Sequence, residues 1–187
     1  VFAALVPLQA MAAGETPAIN PSRLGDKIPD DAYGAFQRGL YKTALELAQE
    51  RIKSGDAEAM ALAAEILSRG LGVPRDVAEA ARLYALAAEK GVLEAQFQAA
   101  LLMLDGKYLP KDEVKAKDYL TKAVASGHKL AAFNLAQLIF SKARTDEDRK
   151  QAYELFLQAA DAGLADAQYA VSQFLALQIA KDRKAVR

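Results

Sequence analysis

A glycine recurs along this chain at a fixed interval of 36 residues, at Gly55, Gly91, Gly127 and Gly163. A period of this length is typical of helical repeat arrays, in which each repeat is one supersecondary unit. A single unit cannot bury both of its faces, so neighbouring units must stack, and about three are needed for a stable fold. The spacing therefore predicts an array of stacked repeats rather than one globular core.

Small and apolar residues recur at the same distances from each glycine. The recurring positions are Ala59, Ala95, Ala131 and Ala167; Ala61, Phe97, Phe133 and Tyr169; Leu67, Met103, Ile139 and Leu175; Ala80, Ala116 and Ala152; Leu83, Tyr119 and Leu155; and Ala87, Ala123 and Ala159. Because apolar positions lie three and four residues apart within each half, each repeat is predicted to be two helices, A and B, joined by a loop. The alanine positions are predicted to lie where two helices touch closely.

The loop between the two predicted helices carries signals for helix ends. In the first two repeats it finishes in Pro-x-Asp, at residues 74–76 and 110–112. Asp76 is expected to cap helix B, with Glu79 completing a capping box, whereas Asp112 is expected to cap its helix without that box. The third repeat departs from the pattern at residues 141–148, which lack both the glycine pair and the proline. Each repeat glycine is expected to end the preceding helix B in the left-handed conformation.

These features resemble the Sel1-like repeat, a relative of the tetratricopeptide repeat. The resemblance is carried by G-D-A-E-A at residues 55–59, by G-x-G-V-P-x-D at 70–76 and by A-x-x-L-Y-x-x-A-A at 80–88, and it covers about residues 31–180. It implies an all-α fold, a right-handed α-solenoid of antiparallel helix pairs. The array of stacked pairs that the spacing predicts is the same architecture.

The chain is accordingly divided into seven segments. They are a remnant of a signal peptide at 1–12, a flexible leader at 13–30, a tetratricopeptide-like leading helix pair at 31–54, Sel1-like repeats at 55–90, 91–126 and 127–162, and a partial repeat or terminal helix at 163–187. The leader is assigned from its three prolines, which interrupt regular structure. The third repeat is the one with the degenerate loop.

The first twelve residues carry no charge, and Ala10, Met11 and Ala12 have the small-x-small form of a signal-peptidase site. We expect cleavage before Ala13, export, and location in the periplasm. The alternative is a short apolar helix that packs on the fold. The apolar run is too short for a membrane span, which needs about 20 residues, so no span is expected in the mature chain.

The composition and the motifs argue against several kinds of function. The 24 basic residues balance the 24 acidic ones, which disfavours nucleic acid as a partner. Cysteine is absent, which excludes disulfides and thiolate chemistry. His128 is the only histidine, and it is expected to face solvent near a helix start rather than to bind a metal. With no phosphate-binding loop or nucleophile motif either, the chain is predicted to be no enzyme and to need no cofactor.

By analogy with tetratricopeptide proteins, the resemblance implies a concave face that is lined mainly by the A helices. The residues assigned to partner binding on that face are Glu58, Glu65, Glu94, Phe97, Gln98, Phe133, Asn134, Gln137, Asp166, Tyr169 and Gln173. Amide side chains there could hold a peptide backbone, and aromatic rings could supply a contact platform. The alternative for Phe97, Phe133 and Tyr169 is that they fill the space between helices.

The sequence thus leads to two functional hypotheses. The first is a non-catalytic scaffold or adaptor of the bacterial periplasm that binds a partner protein or peptide, in envelope regulation or assembly. The alternative is an accessory repeat domain of a larger envelope enzyme whose catalytic part lies elsewhere. Self-association through the end repeats is a third, weaker hypothesis, and the sequence leaves the oligomeric state open.

Overall fold

The computed structural model describes residues 31–185, with side chains described as far as residue 176. Within that range the chain forms nine helices and no strand, so the predicted all-α class is confirmed. The helices are α1 (Asp31–Gln37), α2 (Tyr41–Lys53), α3 (Ala57–Arg69), α4 (Val77–Glu89), α5 (Leu93–Asp105), α6 (Glu113–Ala125), α7 (Lys129–Lys142), α8 (Asp146–Asp161) and α9 (Ala165–Ala185). The segments assigned to a signal peptide and a leader, 1–12 and 13–30, lie outside the described residues.

The described chain divides into two compact units, residues 31–119 and residues 120–185. In the first unit, α1 packs on α2, α2 on α3, α3 on α4, and α4 on α5. In the second unit, α7 packs on α8 and α8 on α9. In all of these pairs a helix packs against its sequence neighbour, which is how helix-pair repeats bury their apolar faces.

The predicted alanine positions are buried throughout the described residues. All of them are at most 1% exposed: Ala59, Ala80, Ala87, Ala95, Ala116, Ala123, Ala131, Ala152, Ala159 and Ala167. Burial is what a position between two packed helices requires, and that alanine is needed there for a close approach of the backbones stays a prediction.

The repeat glycines end the B helices as expected. Gly55, Gly91, Gly127 and Gly163 have φ angles of 82°, 93°, 79° and 84°, in the left-handed region that glycine adopts without strain. After α4, the backbone N–H of Gly91 donates to Ala88 and that of Val92 donates to Ala87. This pair of hydrogen bonds is a Schellman motif, which satisfies the last carbonyl groups of the helix.

The caps at the starts of the B helices differ in one respect from the expectation. Asp76 accepts from the backbone N–H of Glu79 at 2.9 Å, and Asp112 accepts from that of Lys115 at 2.9 Å, so both predicted caps are present. The predicted capping box at Asp76 is wrong. The Glu79 carboxylate binds Arg82 instead, at 2.6 and 2.8 Å, because a guanidinium one turn along the helix offers it two donors. The backbone N–H of Asp76 donates to the carbonyl of Leu67.

The degenerate third loop still forms a defined turn. The side chain of Thr145 accepts from the backbone N–H of Asp148, and the Asp148 carboxylate accepts from that of Thr145. This capping box starts α8 without the Pro-x-Asp of the other repeats. A buried cluster that includes Phe133 and Phe156 then joins α7 to α8, with ring centroids 5.6 Å apart.

Candidate functional site

The A helix α5 leaves one strip of its surface accessible between its two ends. Glu94, Gln98 and Leu101 are half-buried and Asp105 is exposed, while the residues between them are buried. Their spacing of four, three and four residues places them on one side of the helix. Gln98 donates to the Glu94 carboxylate at 3.0 Å, so these two side chains hold each other along the strip. Two predicted partner-binding residues therefore lie together on the accessible side of α5.

The equivalent strip on α3 contains Glu58 and Glu65, both half-buried, and ends at Arg69. Glu65 accepts from Arg69 at 2.9 Å and from the phenolic O–H of Tyr84, on helix α4, at 2.8 Å. The repeat pattern that assigns Glu65 to the binding face predicts neither hydrogen bond. Burial, together with the nearby charge of Glu65, raises the pKa of Tyr84 well above its ordinary value.

The three aromatic residues of one repeat position have different surroundings. Phe97 and Phe133 are 3% and 7% exposed, so their rings lie in the interior of their units. Tyr169 is 65% exposed. Tyr169 can therefore contact a partner directly. Phe97 and Phe133 are buried, as the alternative of filling the space between helices expects, and they cannot offer their rings to a partner in this conformation.

In the second unit, Asn134 and Gln137 lie on the accessible side of α7, and both are half-buried. The Asn134 amide donates to the carbonyl of Leu130 at 2.8 Å, one turn earlier in the helix. The Oε1 atom of Gln137 is buried and accepts no hydrogen bond from the residues that the structure describes. On α9, Asp166 is exposed and Gln173 is half-buried.

His128 is the N-cap of α7, where its Nδ1 accepts from the backbone N–H of Ala131 at 3.1 Å. That role leaves Nδ1 engaged in starting the helix. In the part of the chain that the structure describes, His, Asp and Glu side chains do not gather in threes where a metal ion could bind. Among the same residues, no helix combines the length and apolar character that a membrane span needs.

Comparison with solved structures shows the fold. A Sel1 repeat protein from Oxalobacter formigenes is 24% identical with a TM-score of 0.64, and the match covers 76% of this chain and 59% of that one. A protective antigen of uropathogenic Escherichia coli with an SLR fold is 22% identical with a TM-score of 0.64, covering 77% of this chain and 33% of the antigen. An immunity protein from Pseudomonas aeruginosa is 18% identical with a TM-score of 0.52, covering 82% and 61%. The chain thus spans a third to about three fifths of the length of these structures.

No curated protein matches the chain. The Sel1 repeat family matches three consecutive segments, residues 57–92, 93–128 and 129–164. Each segment is one repeat of 36 residues, offset by two residues from the glycine-to-glycine division. Since these segments make up more than half of the chain and the helix pairs form the α-solenoid expected of such repeats, the protein belongs to the Sel1 repeat family.

Proposed function

We propose that this protein is a non-catalytic scaffold of the bacterial periplasm that binds a partner protein or peptide on the face lined by its A helices. Sel1 repeats commonly serve as protein-interaction scaffolds and are typically non-catalytic. The observation that carries the proposal is the single accessible strip on α5, where Glu94 and Gln98 are held together by a hydrogen bond. Because the other residues between Glu94 and Asp105 are buried, a partner that binds α5 there must contact this strip.

The strip on α3 supports the same face. Glu58 lies 36 residues before Glu94, at the same position in the preceding repeat, and Glu65 is held by Arg69 and Tyr84. Carboxylates that are already positioned lose less side-chain entropy when a partner binds than free ones do. A partner segment with amide or cationic donors fits this chemistry best.

Site-specific photocrosslinking in periplasm tests the proposal. A photoreactive residue at Gln98 is expected to capture a discrete partner. The same residue at Ala78, an exposed position on the B helix α4, is the matched control and is expected to capture none. Equal capture at both positions would count against the A-helix face.

The captured partner then allows a quantitative test. Glu94→Lys and Gln98→Ala should each weaken its binding by about tenfold, which corresponds to about 1.4 kcal/mol. Circular dichroism should show unchanged helix content, because both side chains are partly exposed. Unchanged affinity in both folded variants would rule out this strip as the binding site.

A further inference from the structure

The A helices of the first unit carry an excess of negative charge on their accessible sides. The ionisable residues of α3 and α5 are four carboxylates and one guanidinium: Glu58, Glu65, Glu94, Asp105 and Arg69. None of the five is classed as buried. The whole chain is neutral, with 24 basic and 24 acidic residues, so the excess is a local property of these two helices.

Ion pairs in this unit hold several basic side chains at carboxylates outside the two strips. These pairs are Arg51 with Asp56, Lys53 with Glu50, Arg82 with Glu79, Lys115 with Glu89, and Lys111 with Glu113. On the strips, Arg69 binds Glu65 at 2.9 Å. The basic residues of the other pairs are therefore not placed to offset the charge of α3 and α5.

Tyr84 of α4 connects the two strips. Its phenolic O–H donates to Glu65 at 2.8 Å. Burial first, and then the negative charges of Glu65 on α3 and of Glu94 on α5, raise the pKa of Tyr84 well above its ordinary value. Because both carboxylates act on the same phenol, the strips of α3 and α5 lie close enough together to present one acidic face.

We propose that the acidic face, formed by Glu58, Glu65, Glu94 and Gln98, binds a protein segment that carries lysine or arginine side chains. This choice of partner rests on the proposed function, because it names the kind of segment that the A-helix face takes. A cationic segment complements the charge of the face, whereas an acidic one is repelled.

Internal hydrogen bonds hold two of these carboxylates in position. Gln98 donates to Glu94 at 3.0 Å, and Tyr84 and Arg69 donate to Glu65 at 2.8 and 2.9 Å. A carboxylate that is already positioned loses less side-chain entropy when a cation binds it. Lysine and arginine form charge-assisted hydrogen bonds with such groups, which are stronger than those of neutral donors.

The A helix of the second unit differs in charge. The ionisable residues of α7 are Lys129 and Lys142, and its accessible side carries Asn134 and Gln137. A segment that contacts α7 therefore meets amides rather than carboxylates. The preference for cations is expected of α3 and α5 and not of α7.

Labelled peptides test this preference without the natural partner. The probes are peptides of equal length in which every second residue is Ser and the remaining residues are all Lys, all Gln or all Glu. Fluorescence anisotropy measures their binding to the full chain. At about 20 mM salt, the Lys peptide should bind at least about tenfold more tightly than the Gln peptide, and the Glu peptide should bind most weakly. At about 300 mM salt the advantage of the Lys peptide should shrink, because salt screens exposed charges.

Neutral variants locate the interaction. Glu94→Gln and Glu58→Gln should each weaken binding of the Lys peptide by about two- to fivefold and leave binding of the Gln peptide unchanged. Glu46→Gln is the matched control, because Glu46 is exposed on α2 and its replacement changes the net charge equally. It should not alter the affinity for either peptide. Circular dichroism should show the same helix content in all three variants.

Two results of these measurements would overturn the proposal. The first is equal affinity of the wild type for the Lys and Gln peptides. The second is a Glu46→Gln variant that weakens binding of the Lys peptide as much as Glu94→Gln does, since the attraction would then follow the overall charge of the chain.

The crosslinking of the proposed function separates the two proposals. A partner that is captured at Gln98, but whose crosslinked segment lacks lysine and arginine, would overturn the cationic chemistry and leave the A-helix face in place. Capture at Gln98 no greater than at the control position would count against the proposed function. The peptide comparison would still decide whether the acidic face selects cations.

Discussion

Tyr84 donates its phenolic hydrogen to Oε2 of Glu65 at 2.8 Å, which joins helix B to helix A within one repeat. Tyr84 is only 4% exposed, and Glu65 is held from its other side by Arg69 at 2.9 Å. The buried alanines of these helices carry no directional preference. This hydrogen bond therefore adds a directional contact between α3 and α4 and fixes the carboxylate on the proposed binding face.

Tyr84→Phe should lower the free energy of unfolding by about 1–2 kcal/mol, because it removes a hydrogen bond to a charged, largely buried acceptor. Urea denaturation followed by circular dichroism measures the change. Tyr108→Phe is the matched control, since Tyr108 is 37% exposed in a loop, and it should change stability little. Equal stability of the Tyr84→Phe variant and the wild type would show that the hydrogen bond makes no net contribution to the free energy of unfolding.

The same residue predicts a dependence on alkaline pH. Burial first, and then the charge of Glu65, raises the pKa of Tyr84 in the folded chain above its ordinary value of 10.0. Because the folded pKa is raised, the contribution to stability is complete below the unfolded value and is lost as pH rises toward the folded one. The stability difference between the wild type and Tyr84→Phe should thus shrink from about pH 9 to about pH 11. A constant difference over that range would contradict the raised pKa.

The repeat period predicts the scaffold because packing and capping obey local spacing rules. The buried alanines, the left-handed glycines and the aspartate caps all follow from positions that recur every 36 residues. Individual polar pairings do not follow from the period. Glu79 had two candidate partners within one turn, and the choice of Arg82 over a capping box depends on side-chain geometry that sequence does not carry. The pairing of Glu65 with Tyr84 likewise spans 19 residues.

The period also fails to predict how much of each position is covered. Phe97 and Tyr169 occupy the same repeat position, but one is 3% and the other 65% exposed. Exposure depends on which helix lies against that side, and a recurring residue type is compatible with either environment. The binding role assigned to these residues from sequence remains a prediction for that reason.

Ala95→Leu and Ala116→Leu should each lower the free energy of unfolding by about 1–3 kcal/mol, because both side chains are 0% exposed and added methyl groups would force the helices apart. Chemical denaturation of each variant gives the value. Ala78→Leu is the control, since Ala78 is exposed on α4 and leucine is nearly as good a helix former as alanine. If all three substitutions lowered the free energy of unfolding by the same small amount, close packing between helices would not be the reason for alanine at these positions.

Asp56 predicts an acid dependence at the start of α3. Its carboxylate accepts from the backbone N–H groups of Glu58 and Ala59 and from Arg51 at 2.7 Å. Burial opposes ionisation, but the hydrogen bonds from Ala59, Arg51 and Glu58 outweigh it and lower the pKa of Asp56 below 3.8. With a lowered folded pKa, the stabilisation is present above the unfolded value and is lost as pH falls through the folded one.

The variant that isolates this charge is Asp56→Asn, which keeps an N-cap oxygen but loses the charged pair with Arg51. It should be less stable than the wild type by about 0.5–1 kcal/mol near neutral pH, and the two should converge as the pH approaches about 2. Urea denaturation at a series of pH values tests this. Glu50→Gln, in an exposed pair with Lys53, should show no such convergence. A stability gap for Asp56→Asn that persists at low pH would mean that capping geometry, not charge, is responsible.

Gln96 is a buried polar residue whose replacement should cost little. It is 6% exposed, and its Nε2 donates to the carbonyl of Ala88 at 3.2 Å. Its Oε1 is buried and has no hydrogen-bond donor among the described residues. The Ala88 carbonyl also accepts from the backbone N–H of Gly91, so it keeps a partner when the amide is removed. The equivalent residue in the preceding repeat is Met60, which is also 6% exposed, so the fold accommodates a thioether at this position.

Gln96→Met should therefore leave the free energy of unfolding within about 1 kcal/mol of the wild type or raise it. The substitution removes the buried Oε1 acceptor, and the Ala88 carbonyl keeps its hydrogen bond from Gly91. Gln96→Ala, which opens a cavity at the same site, should instead be destabilising and serves as the comparison. Chemical denaturation of both variants distinguishes them. A loss of more than about 2 kcal/mol in Gln96→Met would mean that the hydrogen bond to Ala88 outweighs the cost of burying the amide.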